Sequence, residues 1–104
     1  MNDIQTSVKR IGTQTEKLGH SKDPNIILLF LMEELGEVAR AYLKEEGQKE
    51  SNDRVTETFR EELGDVFYLI LRLAWATHTD LEAALDHTVK KLEKTGTNKP
   101  AGIK

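Results

Sequence analysis

The sequence predicts an all-α protein, a four-helix antiparallel bundle-type core completed by dimerisation or tetramerisation. Three observations carry this. Apolar residues recur at helical spacing through most of the 104-residue chain, and no stretch shows the two-residue alternation of a half-buried strand. The two prolines stand at a helix start and in the C-terminal tail, outside every apolar run. Two long segments are apolar on all sides, and a helix of that kind must be covered all round. A chain of this length has difficulty covering it alone.

The first helix is expected from Asp3 to about Leu18, where Ile4, Val8 and Ile11 form one stripe and Gly19 follows as C-cap. Gly12 lowers its intrinsic propensity, so it needs packing to hold it. Asp23-Pro24 opens a second helix, the carboxylate capping free N–H groups and proline occupying the position that has no use for one. That helix runs to about Glu46, stops at Gly47, and is apolar throughout Ile26–Met32. The polar stretch Gly47–Arg54 reads as a loop, with Asp53 capping a third helix from about Arg54 to His78. Thr79-Asp80-Leu81-Glu82 has the form of a capping box with Thr79 as N-cap. The fourth helix is expected from Asp80 to about Lys94, with Leu81, Leu85, Thr88 and Leu92 on one face and Gly96 ending it. Residues 1–96 thus form one domain and 97–104 a flexible basic tail.

Composition narrows the function classes. Hydrophobic residues make up 38% and charged residues 32% of the chain, as in globular proteins. The absence of cysteine excludes disulfides, thiolate zinc sites and cysteine nucleophiles, and fits a reducing compartment. The N-terminus lacks a signal-peptide pattern and the apolar runs are short of the ~20 residues of a membrane helix, so the expected location is the cytoplasm, with no membrane partner. From Thr88 onward five lysines face one acid, and the rest of the chain carries about seven net negative charges. A short basic tail on an acidic protein argues against nucleic acid as partner.

The most informative feature is a repeated acidic signature, Glu33-Glu34-Leu35-Gly36-Glu37 and Glu61-Glu62-Leu63-Gly64-Asp65. Each copy runs into an apolar segment, where carboxylates are costly unless their charge is compensated. Glu34 and Glu37 share a helix face, as do Glu62 and Asp65. Ten residues separate Glu37 from the stop at Gly47, and nine separate Asp53 from Glu62. An antiparallel hairpin of helices two and three therefore sets the acids level, at a separation that lets them share a cation. Four hard oxygen donors without histidine or cysteine suit Mg²⁺, with Mn²⁺ as a substitute, and Mg²⁺ sites of this kind commonly serve phosphate chemistry. Glu33 and Glu61 are spare acids about 100° round their helices, candidates for a general base. The bland alternative is a pair of solvated acidic helix faces.

The motif Glu33-Glu34-x-x-Glu37, followed after 24 residues by Glu62-x-x-Asp65, resembles the EExxE…ExxD signature of the all-alpha nucleoside triphosphate pyrophosphohydrolases, the MazG-like members above all. The similarity extends from the Ile11–Gly19 region to the Lys90–Lys94 region. It implies a four-helix core in a homodimer or homotetramer, and Mg²⁺-dependent hydrolysis of (d)NTPs to (d)NMP and pyrophosphate. By position it implies Glu34, Glu37, Glu62 and Asp65 as metal ligands and Glu33 as the residue activating water. It implies Lys91 and Lys94 as substrate-binding residues on the phosphates. Thr95 stands where many members have another arginine, and Val89 where some have asparagine, a departure that falls on this phosphate clamp. Relatives acting on phosphoribosyl-ATP or dUTP are the nearest alternatives, and a non-catalytic helical interaction module is the alternative of a different class.

The remaining polar and aromatic residues separate less cleanly. Trp75 fits core or dimer packing better than base stacking, whereas Tyr68 lies on the face of Asp65 and could border a base pocket. His20, His78 and His87 lack metal-ligand spacing. Arg72, alone in an apolar run, needs a partner, either an acid of another subunit or a substrate phosphate. Gln14 and Lys17 read as a solvated face. Base and sugar preference are not encoded in any recognisable pattern.

Overall fold

The computed structural model describes residues 3–47 and 57–98, which form four helices and, among the described residues, no strand. Helix α1 spans Ile4–Leu18, α2 Pro24–Glu45, α3 Phe59–Ala76 and α4 Leu81–Asn98. No described helix is long and apolar enough to cross a membrane.

The expected caps at the first two helices are present. The Asp3 carboxylate accepts from the Thr6 N–H at 2.7 Å. Gly19 closes α1 at φ 69°, the left-handed conformation in which a side chain would be strained, and the His20 N–H returns to the Thr15 carbonyl at 2.9 Å. The Asp23 carboxylate accepts from the Asn25 N–H at 2.9 Å with Pro24 at the first helical position.

The later boundaries differ from expectation. Helix α3 begins at Phe59, not near Arg54, so the expected cap Asp53 lies outside both the helix and the described residues. Its N-cap is Thr58, whose hydroxyl accepts from the Glu61 N–H while the Glu61 carboxylate accepts from the Thr58 N–H, a reciprocal capping box. The sequence Thr58-Phe59-Arg60-Glu61 carries this signature in full. At the start of α4, Asp80 and not Thr79 is the cap, since its carboxylate accepts from the Ala83 N–H at 3.0 Å. The Thr79 hydroxyl instead shares a hydrogen bond with that of Thr77. Helix α4 also continues through Gly96 to Asn98, because one glycine costs a helix only about 1 kcal/mol and is no obligatory stop. Residues 99–104 of the expected tail lie outside the described residues.

Helix α3 is the centre of the molecule. Helices α1 and α2 each pack on it far more than on each other, and α4 makes a limited contact with α1. Val66, Leu69, Leu71 and Ala74 of α3, with Val8 of α1 and Ile27 and Ala41 of α2, are the buried apolar residues. Where α1 crosses α3, Gly12 faces Trp75 so closely that a Cβ there would overlap the indole. The sequence reading of Trp75 as a packing residue therefore holds, and Gly12 is the notch that receives it. Helices α2 and α3 form the expected antiparallel hairpin, with Tyr42 edge-on to Phe59 at 5.2 Å and the Glu45 carboxylate accepting from the Phe59 N–H at 2.7 Å.

Among the described residues this arrangement does not close a bundle within one chain. The apolar run of α2 is largely uncovered: Leu28, Leu29, Phe30 and Met32 are exposed, Met32 to 68%. Leu63 and Phe67 of α3 and the stripe Leu85, Val89 and Leu92 of α4 are exposed as well. The radius of gyration is 16.5 Å, against about 13 Å for a compact domain of roughly a hundred residues.

Candidate metal and nucleotide site

The hairpin sets the acidic signatures against each other. Glu34, on α2, and Glu62 and Asp65, one turn apart on α3, each bring a carboxylate oxygen within 4.8 Å of the others. Three acids at that separation repel one another unless a proton or a cation intervenes. Glu62 bears most of the strain. It is 4% exposed, and burial, then the hydrogen bond and charge of Glu34, push its pKa up to about 8. One oxygen of Glu34, Oε2, is buried without a hydrogen-bond partner among the described residues. A buried carboxylate oxygen left without a donor is the feature expected where a cation is to be accepted.

Other predicted residues fall at different distances from this point. Glu33 is exposed and lines the same 210 Å³ cavity as Glu34, Asp65, Phe30, Tyr68, Leu69 and Arg72. Glu37 does not join the three acids, because one turn along α2 its carboxylate is paired with Arg40. Glu61 is held in the capping box of α3, and its hydrogen bonds with Thr58 keep its pKa below the usual carboxylate value, which leaves it occupied as a spare base. Lys91 and Lys94 are exposed on α4, whose main packing is on α1 rather than on the hairpin that carries the acids. Gln14 lines a separate 510 Å³ groove with Ser7, Arg10, Ile11 and Phe67. Phe67 lies two residues beyond Asp65, hence on the far side of α3.

Two contributions were not legible from the motif. Glu57, immediately outside α3, lies against Asp65 and Glu62, and its contact with the Asp65 carboxylate leads in raising its pKa. Its signal was the Thr58 capping box, which places the helix start and so puts Glu57 at the open end of the cluster. Arg72 is 3% exposed and holds the α1–α2 connection: Nε and Nη2 both donate to the Ser21 carbonyl, at 3.2 and 2.6 Å, and Nη1 donates to the Tyr68 hydroxyl at 3.2 Å. The guanidinium also lies over the Phe30 ring, 5.8 Å from its centroid. Its partner is thus a backbone carbonyl, neither of the two expected from sequence.

A family model, the MazG nucleotide pyrophosphohydrolase domain, matches residues 22–97. The chain belongs to that family. The match begins ahead of α2 and ends within α4, so both acidic signatures lie inside the MazG domain. The resemblance drawn from the spaced acids is thereby confirmed, together with nucleotide pyrophosphohydrolysis as the general activity of the domain. No curated protein and no solved structure matches the chain.

Proposed function

We propose that the protein hydrolyses nucleoside triphosphates, ribo or deoxy, to the monophosphate and pyrophosphate with Mg²⁺. The observation that carries this reading is the meeting of Glu34, Glu62 and Asp65 around a buried carboxylate oxygen that has no donor. Glu34, Glu62 and Asp65 would hold the cation, and Glu37, paired with Arg40 one turn along α2, would be a fourth ligand once freed of that pair. When bound, Mg²⁺ neutralises phosphate charge and polarises the anhydride. Glu33, at the rim of the same cavity, orients a water and takes its proton on a carboxylate oxygen. The water oxygen forms a new bond to the α-phosphorus, the bond from that phosphorus to the bridging oxygen breaks, and pyrophosphate leaves with the bonding pair.

A homodimer or homotetramer completes the fold in this reading, since the described residues of one chain leave the apolar faces of α2, α3 and α4 exposed. Lys91 and Lys94 then meet substrate phosphates from the α4 of a second copy, their own α4 being packed away from the acids. Domain boundaries at 1–96 and 97–104 and a cytoplasmic location belong to the same reading.

Purified protein given a panel of NTPs and dNTPs with Mg²⁺ should yield monophosphate and pyrophosphate. Release of diphosphate and orthophosphate would refute the reaction, and silence across the panel, phosphoribosyl-ATP included, would favour a helical interaction module. In parallel, Mg²⁺ should raise the melting temperature of the wild type and fail to raise that of Glu34→Gln. An equal response of both would remove Glu34 from the metal site.

A further inference from the structure

Three carboxylates line the 210 Å³ cavity of the site, those of Glu33, Glu34 and Asp65. Its other walls are apolar, save for two side chains that can donate a hydrogen bond, Tyr68 and Arg72. Sites that enclose a whole drug-sized ligand run from about 300 to 1,000 Å³. A cavity of 210 Å³ takes only part of a nucleotide. In the nucleotide-hydrolase reading, the part that lies beside the metal ligands is a phosphate. A fully ionised phosphate presents only acceptors, as the carboxylates do, so what binds it here besides a cation must donate.

Tyr68 is a donor that the fold leaves available. It stands three residues after Asp65, one turn further along the same face of α3. Its hydroxyl accepts from Arg72 Nη1 at 3.2 Å, and its own proton meets no acceptor among the described residues. A hydroxyl that accepts from a guanidinium is polarised by it and donates more strongly, most of all to an anionic oxygen. Arg72 is anchored independently of the tyrosine: Nε and Nη2 both donate to the Ser21 carbonyl, and the side chain is 3% exposed. The α1–α2 connection thus fixes the guanidinium, and the guanidinium fixes the hydroxyl.

Resting on the nucleotide-hydrolase reading, we infer that the Tyr68 hydroxyl donates to a phosphate oxygen of the substrate, with Arg72 as its positioning residue. The neutral acceptors of a sugar or base gain less from a polarised donor than an anionic oxygen does. The first acidic signature has Arg40 at the matching place, three residues after its last acid, and that cation is taken by Glu37. A neutral hydroxyl avoids such a pairing. It holds a phosphate without adding a cation that would compete for the carboxylates of Glu34 and Asp65. Because Arg72 already holds the hydroxyl, little freedom is lost when the phosphate arrives.

The test measures the calorimetric affinity of inorganic tripolyphosphate, which has no sugar or base, in the presence of Mg²⁺. Beside it, kcat and KM are measured for a panel of NTPs and dNTPs. Tyr68→Phe keeps the ring and should weaken tripolyphosphate binding by about 10- to 100-fold, the worth of a hydrogen bond to a charged group. KM should rise with it, for ribo and deoxy substrates alike. Arg72→Lys keeps the charge but not the fork that spans Ser21 and Tyr68. It should weaken tripolyphosphate binding in the wild-type background and change little in a Tyr68→Phe background. Additive losses would overturn the positioning of Tyr68 by Arg72. Unchanged tripolyphosphate affinity in Tyr68→Phe would overturn the inference and leave the activity standing. A fall in kcat alone would then assign the donor to the attacking water, and a loss confined to NTPs would assign it to the ribose 2′-hydroxyl. Binding of tripolyphosphate that depends on Tyr68, without hydrolysis, would support the donor and refute the activity. Neither binding nor hydrolysis by the wild type would refute both.

Discussion

The crossing of α1 and α3 gives the sharpest test of the packing argument. Gly12 is buried against the Trp75 indole, and a methyl group at that position would occupy space the ring already fills. Alanine in place of a helical glycine gains about 1 kcal/mol from backbone entropy. Overpacking against a rigid ring costs about 1 to 3 kcal/mol, because either the indole leaves its site or α1 moves off α3. The overlap here involves three consecutive indole atoms, Cδ1, Nε1 and Cε2, which places the cost at the upper end of that range. Gly12→Ala should therefore destabilise the protein by about 1 to 2 kcal/mol in spite of its better helix propensity. The decisive comparison is a double-mutant cycle in urea. In a Trp75→Ala background the notch is empty, and the same Gly12→Ala change should become stabilising by about 1 kcal/mol. The sign of one substitution thus depends on the other residue. If Gly12→Ala shifts stability equally in both backgrounds, the two residues do not touch in the way described and the packing of α1 on α3 is mistaken.

Three further outcomes follow from the site. Glu62 has a folded pKa of about 8, above its ordinary 4.5, so its contribution to stability is complete below pH 4.5 and is lost as pH rises toward 8. Melting in chelator should then show about 2 kcal/mol less stability at pH 7 than at pH 5, about 10 °C in melting temperature. Glu62→Gln should flatten that slope, and a wild type that grows more stable over the interval would contradict it. Arg40→Ala releases Glu37 from its ion pair, so Mg²⁺ affinity should rise severalfold by calorimetry; unchanged affinity would keep Glu37 out of the ligand set. Met32→Glu places a charge on the uncovered face of α2 and should shift light scattering from an oligomer to the monomer mass with helicity retained. A wild type that is already monomeric would refute the covering of that face by a second copy.

Much of this arrangement was legible in the sequence, and the reasons it was not all legible are physical. Helix existence and the pairing of α2 with α3 followed from apolar periodicity, Asp23-Pro24 and the spacing of the acids. The start of α3 did not, because Asp53 and Thr58 are both competent caps and only the second is backed by an acid three residues on. The level pairing of the acids held even though the residue count began from the wrong cap, because register is fixed by side chains meeting between the helices, Tyr42 with Phe59 among them, and not by loop length. Glu37 reads as a ligand by spacing, yet Arg40 stands three residues further on the same face and a pattern of acids alone overlooks a competing cation. Gly12 read as a weakness because propensity scales describe a helix in water, whereas its use lies in the neighbour it admits.

A core in which α1 and α2 each pack chiefly on α3 has a consequence for how the protein tolerates change. Of the apolar side chains of α2, Ile27 and Ala41 are buried, whereas Leu28, Leu29 and Met32 are exposed. On the proposal that a second copy covers this face, polar replacements at Leu28, Leu29 or Met32 should be neutral for secondary structure and harmful only for assembly. Replacements at Ile27 or Ala41 are harmful at any concentration. A scan of all substitutions, read once at high dilution and once concentrated, would divide the surface of α2 into those two classes, and the boundary between them would trace the edge of the proposed subunit contact residue by residue.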